Sequence, residues 1–190
     1  MRQLILVKHA APEVVPGTPA ERWRLSDKGR AACTPLAASL SSFKPRVIVS
    51  SEEPKASETA ERVARELGVP WETAPGLHEH DRSNVQHMRS GDFISTMELV
   101  FRRPQQLVLG RETAAGALKR FQNALDDVLE RHAVEKGNVA VVSHGTVIAL
   151  LLAHHSGNNG FDLWRRMQLP SYAVVEVPDF RVVQIVERAP

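Results

Sequence analysis

Residues 4–11 read Leu-Ile-Leu-Val-Lys-His-Ala-Ala. Four apolar residues in succession are too short a run for a helix and mark a strand buried on both faces, and the last of them hands the chain directly to Lys8 and His9. The pattern returns far downstream, where Val139 to Val142 runs into Ser143-His144-Gly145. Open parallel α/β sheets bind ligands beyond the carboxyl ends of their strands, so both histidines stand where a ligand would meet them. A lysine beside the first of them points toward phosphoryl chemistry.

Working outward from these two junctions, strand and helix patterns alternate. Val47 to Ser50 is a further short apolar run, set off by Lys44-Pro45-Arg46. Before it, an Ala-rich stretch reaching Ser41 predicts a helix with Ser26 as its N-cap, which Pro35 is expected to kink or restart. Ser57 to Leu67 reads as an amphipathic helix with Ala60, Val63, Ala64 and Leu67 on one face and Gly68 as its C-cap. Leu118, Phe121, Leu125, Val128 and Leu129 fall close to helical spacing and predict a long helix from Thr113 to about His132. An apolar helix is expected over Gly145 to His155, and a terminal strand pair over Ala173 to Val177 and Val182 to Val186, around the Pro178-Asp179 turn. Residues 68–113, with Pro70, Pro75, Gly76, Gly91 and Pro104, read as irregular. The part from about 76 to 112 is expected to be an excursion over the active face rather than a second domain. This order of elements predicts an α/β fold, a three-layer α/β/α sandwich around a mostly parallel or mixed sheet.

A chain of 190 residues suits one domain, here 1–190, large enough to bury a sizeable core. Lysine and arginine outnumber aspartate and glutamate by 24 to 22, and the two signs are interspersed, so pairs such as Arg102-Arg103 and Arg165-Arg166 read as solvated surface. A nucleic-acid partner, which calls for a clustered basic stripe, is not expected. The single Cys33 cannot form an internal disulfide or a cysteine-built metal site, and its neighbours Gly29 to Thr34 suit a buried thiol in a reducing compartment. The first apolar run falls short of the roughly 7–15 residues of a secretory core, and no run approaches the roughly 18–20 of a membrane span. A cytoplasmic location without a membrane partner is therefore expected.

Five short segments follow one another in a specific order: Lys8-His9-Ala10; Ser50-Ser51 with Lys55-Ala56 and Thr59-Ala60; Leu77-His78-Glu79; Gly110-Arg111-Glu112-Thr113; and Ser143-His144-Gly145. Taken together they resemble the histidine phosphatase superfamily, the phosphoglycerate mutase-like proteins, over nearly the whole chain. Singly each segment is weak; the ordered combination is specific. The resemblance implies a phosphoglycerate mutase-like fold and a phosphomonoester hydrolase in which His9 attacks phosphorus and becomes phosphorylated. It implies that His144 donates a hydrogen bond to the phosphoryl group, that Lys8 and Lys55 stand where the family has two clamping arginines, and that Glu79 moves the proton. Ser51 and Gly145 would complete the phosphate pocket, with Ser50 and Ser51 either supporting it or ending the strand. Alanine replaces the family's glycine at Ala10. A lysine keeps the charge of an arginine and loses the planar fork that grips two oxygens.

The chemistry of these residue types is consistent with those roles. A neutral imidazole attacks phosphorus when its other nitrogen is held by a hydrogen bond that sets the tautomer. A carboxyl group whose pKa is raised by its pocket serves as acid and then base, which is the role expected of Glu79, with Asp81 in reserve. Glu112, just before the long helix, suits capping or positioning. The cluster His78-Glu79-His80-Asp81 has a superficial likeness to a ligand set but lacks the spacing of His-Glu-x-x-His, so no metal or other cofactor is expected. Two other functions stay open beside hydrolysis: a weak or inactive member that binds a phosphorylated ligand or partner, and a phosphomutase. The modest length from Asn84 to Gln106 favours a phosphatase over a mutase. The expected partner is a small phosphorylated substrate or a phosphoprotein, and arginines 82, 89, 102 and 103 are candidates for meeting a second acidic group.

Overall fold

The computed structural model describes residues 2–85, 88–134 and 137–190. Its strands are β1 (Gln3–Lys8), β2 (Pro45–Ser50), β3 (Trp71–Thr73), β4 (Asn138–Ser143), β5 (Ser171–Glu176) and β6 (Arg181–Val186). The helices are α1 (Asp27–Leu40), α2 (Pro54–Leu67), α3 (Ser90–Arg102), α4 (Ala114–Arg131), α5 (Gly145–Ser156) and α6 (Gly160–Arg166). All six strands join one sheet in the order β3-β2-β4-β1-β5-β6. The first four run parallel, whereas β5 is antiparallel to β1 and β6 to β5. The sheet is thus mixed, with its antiparallel part confined to one side.

Side-chain alternation along the central strands divides the interior in two. Ile5, Val7, Ile48, Ala140 and Val142 face one side and pack on Leu36, Ala37 and Leu40 of α1 and Ala60, Val63 and Ala64 of α2. Leu4, Leu6, Val49, Val139 and Val141 face the other and pack on Phe121 and Leu125 of α4 and Val147 and Leu151 of α5. Because both faces are covered, the strands are apolar throughout, which is the feature of residues 4–7 and 139–142 that first marked them. Helix α5 is buried over eight successive residues, Gly145 to Leu152, and so shows no polar stripe.

Several boundaries differ from the sequence expectation. Helix α1 runs unbroken through Pro35, and Ser26 caps it by accepting from the Gly29 amide at 3.1 Å. Helix α2 begins three residues before Ser57, at Pro54, because proline at the first helical position loses no needed hydrogen bond. That earlier start puts Lys55 in the first turn. The stretch expected to be irregular contains β3, which extends the sheet edge, and α3, whose Met97 and Val100 are buried in the core; residues 86 and 87 of the excursion lie outside the described residues. Helix α6 lies where no element was expected. Cys33 is buried, donates to the Gly29 carbonyl at 3.4 Å, and burial pushes its thiol pKa up to about 11, as for an inert core thiol. Among the described residues no helix is long and apolar enough to cross a membrane.

One close approach ties α1 to the end of β1. The Ala11 carbonyl accepts from both the backbone N–H and the hydroxyl of Ser26, at 3.0 Å each, and a Cβ on Gly29 would stand 2.0 Å from that oxygen. Intrinsic propensity favours alanine over glycine in a helix by roughly 0.5–1 kcal/mol, so the contact and the propensity predict opposite signs. The contact wins: Gly29→Ala is expected to destabilise the protein by about 1–3 kcal/mol, as for overpacking of a tight core. Thermal unfolding measures it, and a melting temperature equal to or above that of the unmodified protein would refute it.

Candidate active site

Strand pairing brings the two histidines together. In the parallel register of β1 and β4, Lys8 lies opposite Ser143, and the His9 amide continues the ladder by donating to the Ser143 carbonyl at 3.0 Å. His9 and His144 therefore leave the sheet side by side, with ring centroids 5.2 Å apart in an edge-to-face arrangement. Both are buried. The His9 Nδ1 lies 2.7 Å from the Ala10 carbonyl, an acceptor, so Nδ1 carries the proton and Nε2 keeps its lone pair. Ala10 is fixed in turn, its amide donating to Thr59 Oγ1 of α2 at 3.1 Å. Burial, then the neighbouring His144, holds the His9 pKa well below its ordinary value, so the ring is neutral at pH 7.

His144 is the N-cap residue of α5, and its Nε2 is 2.9 Å from the Ser51 hydroxyl. Its Nδ1 is buried without a partner. A Ser51 hydroxyl donating to Nε2 leaves the proton on Nδ1. Burial lowers the His144 pKa to about 3, with the pull of Glu79 outweighed.

The two lysines are present and already engaged. Lys8 Nζ donates to the Met167 carbonyl at 2.7 Å, and its stem crosses Gly145 so closely that a Cβ there would sit 2.9 Å from Lys8 Cε. Burial lowers the Lys8 pKa, with Glu79 opposing. Lys55, which is buried, donates to the Ala20 carbonyl at 2.7 Å and to Glu53 Oε2 at 2.5 Å.

Glu79 departs from the expected raised pKa. Burial alone would raise it, but Arg82, His144 and the amides of His80 and Thr146 outweigh burial and bring it to about 2. Arg82 lies 3.4 Å from Glu79 Oε2, and the His80 and Thr146 amides donate at 2.8 and 3.2 Å. In this arrangement the group is a base. Asp81 is not drawn in: its carboxylate accepts from the amide and hydroxyl of Ser83 at 3.0 and 2.7 Å and closes a turn. His80 is likewise turned away, with Nε2 2.8 Å from the Glu112 carbonyl.

Arg120 and Glu53, which had no assigned role in the sequence, join Glu112, expected to position, and Arg82 in holding these groups in place. Arg120 of α4 donates to the carbonyls of Gly76, His78 and Glu79 at 2.7, 3.0 and 3.2 Å and pairs with Glu112 at 2.5 Å. Glu112 also accepts from the Asp81 amide at 2.9 Å, so the two residues together fix the segment that carries Glu79. The only sequence signal of Arg120 is its place two turns beyond Glu112, on the face of α4 next to the buried Phe121. Arg82 is packed over the Phe93 ring of α3 at 5.3 Å, so the excursion helix holds a cation on Glu79. Glu53 pairs with Lys55 inside the site, where side-chain exposure is 11% and 8%.

The model of the histidine phosphatase superfamily (branch 1) matches residues 4–182. No curated protein sequence matches the chain. Among solved structures, a mycobacterial glucosyl-3-phosphoglycerate phosphatase is similar with a TM-score of 0.80 at 18% identity, over 100% of both chains. YhfR of Bacillus stearothermophilus gives 0.76 at 22% identity, over 98% of this chain and 96% of its own. A phosphoserine phosphatase of Entamoeba histolytica gives 0.74 at 15% identity, over 98% and 97%. With the family model spanning nearly the whole sequence and the same fold in these structures, the chain belongs to the histidine phosphatase superfamily, with a phosphoglycerate mutase-like fold.

Proposed function

We propose that the protein hydrolyses a small phosphomonoester through a phosphohistidine on His9. The observation that carries this reading is the tautomer of His9: the Ala10 carbonyl holds Nδ1 at 2.7 Å and leaves a buried, neutral Nε2 with its lone pair beside His144. Phosphatases among the similar structures support the same class of reaction.

In the first step the Nε2 lone pair forms the N–P bond while the bond from phosphorus to the leaving oxygen breaks, and that oxygen takes a proton from Glu79. In the second, water attacks phosphorus, Glu79 receives its proton, the P–N bond breaks, and inorganic phosphate leaves His9 restored. His144 through Nδ1, together with Lys8 and Lys55, stabilises the transferring oxygens, while Ser51 orients His144 and Gly145 leaves room for Lys8. The depressed pKa of Glu79 is set by Arg82, His144 and the amides of His80 and Thr146. A phosphoryl dianion beside it raises the pKa by like-charge repulsion, so substrate itself assembles the proton donor. A second reading, binding without turnover, is favoured by one observation: Lys8 and Lys55 already donate to Met167 and Glu53.

Trapping with a labelled phosphomonoester, quenched in alkaline denaturant because the P–N bond of phosphohistidine is acid-labile, separates the two. Label is expected on His9, and His9→Ala is expected to abolish both label and turnover, a fall of at least roughly a thousandfold as for loss of a covalent nucleophile. Phosphate binding without label or turnover in the unmodified protein would establish the binder instead.

The titration of the site gives a further expectation. His144 is protonated near 6.5 when unfolded but only near 3 when folded, so the unfolded chain binds more protons between those values and acid favours unfolding. Glu79, lowered from 4.5 to about 2, acts in the same sense over its own window, its contribution being lost as pH falls through it. Melting temperature is therefore expected to drop from pH 6.5 toward pH 4, and His144→Gln to make the drop shallower. An equally steep drop in that variant would contradict a neutral, buried His144.

A further inference from the structure

Glu53 is the N-cap residue of α2, yet its carboxylate accepts no hydrogen bond from the backbone amides of that helix. The short N-cap side chains Asp, Asn, Ser and Thr fold back onto the first-turn amides. This one points the other way and makes three contacts in the phosphoryl site. Oε2 takes the Lys55 ammonium at 2.5 Å, Oε1 takes the Glu79 amide at 3.0 Å, and the same oxygen lies 3.6 Å from His144 Nε2. The Glu53 amide donates to Ser51 Oγ, the hydroxyl that orients His144. An ammonium and a backbone amide are donors by which proteins hold a phosphoryl oxygen. Here a carboxylate of the chain itself is seated among them.

Charge counting sharpens the point. The cations around the site are Lys8, Lys55 and Arg82, and the anions are Glu53 and Glu79, with His9 and His144 neutral. Glu79 is engaged by Arg82 and Glu53 by Lys55. An entering phosphoryl group thus meets cations that already have partners, in a poorly screened interior.

We propose that Glu53 sets the affinity of the site for phosphoryl groups, acting as a resident anion that gives up Lys55 when a phosphoryl oxygen takes its place. This rests on the reading of the site as one that binds phosphoryl groups. Glu53 is an affinity-determining competitor, and Lys55 becomes a phosphate ligand only on its release.

The test is titration of the full-length protein with inorganic phosphate by calorimetry at pH 7, for the unmodified chain, Glu53→Gln and Glu53→Ala, with thermal unfolding of each with and without phosphate. Both variants are expected to bind phosphate roughly tenfold more tightly, the effect of removing one competing charge. They are also expected to melt lower without phosphate, since Lys55 loses its buried partner, and to gain more from phosphate than the unmodified protein. In the unmodified protein the Glu53 side-chain carboxyl carbon is expected to shift on phosphate addition, a readout that needs no variant. Equal or weaker phosphate binding in both variants, with binding intact in the unmodified chain, overturns the proposal and leaves the phosphatase reading standing. No phosphate binding in any of the three folded proteins overturns both.

Discussion

The parallel pairing of β1 with β4, in the register that sets Lys8 against Ser143, is the constraint on which the site depends. Residues 9 and 144 are far apart in the chain, and neither local propensity nor short-range contact relates them. Once the two strands pair in this register their ends coincide, and both histidines emerge at one carboxyl edge of the sheet. A slip of one residue would turn Leu4 and Leu6 to the face that now holds Ile5 and Val7 and would separate the rings. The register is held by burial on both faces, because Leu4 to Val7 and Val139 to Val142 are all closed to solvent. The same hydrophobic packing that makes the sheet therefore aligns the chemistry.

Around that edge the fold solves an electrostatic problem. Lys55 and the carboxylates of Glu53 and Glu79 are largely removed from water, and burying charge is costly unless each group is paired and hydrogen-bonded. Arg82 and the amides of His80 and Thr146 satisfy Glu79, and Lys55 satisfies Glu53. Removing one partner of such a pair costs about 3–5 kcal/mol, so the site is stable because it is internally balanced.

Much of this was legible in the sequence, and for identifiable reasons. Strands β1, β2 and β4 were visible as short apolar runs because parallel strands are buried on both faces. Helices α2 and α4 were visible through their apolar spacing and α1 through its N-cap, with Ser26, Gly68 and Thr113 at their ends. The residues read as chemically active, His9, Ser51, Lys55, Glu79, His144 and Gly145, all lie at one end of the sheet or in the loops against it, and Lys8 lies over Gly145. Helix α3 was not legible because its apolar residues are divided: Met97 and Val100 enter the core, Phe93 meets Trp164 of α6 and Arg82, and Ile94 and Leu99 are exposed. Strand β3, at only three residues with two of them exposed, carries no alternation long enough to read.

What the sequence by itself determined was the order of the elements other than β3, α3 and α6, the family, and the residue types at the carboxyl edge, because apolar runs and motif order survive in one dimension. What only the tertiary structure decided was the state of those residues. The direction of the Glu79 pKa, the proton on His9 Nδ1 and the occupation of Lys55 by Glu53 depend on groups that approach from other strands and loops. The physical reason is that protonation and pairing are set by distance and burial in three dimensions. Glu53 shows the difference most directly. Along the chain it is one of two adjacent glutamates before a helix, where an acid is ordinary. In the folded protein its carboxylate leaves the backbone amides of the helix it caps unbonded and holds the buried Lys55 ammonium.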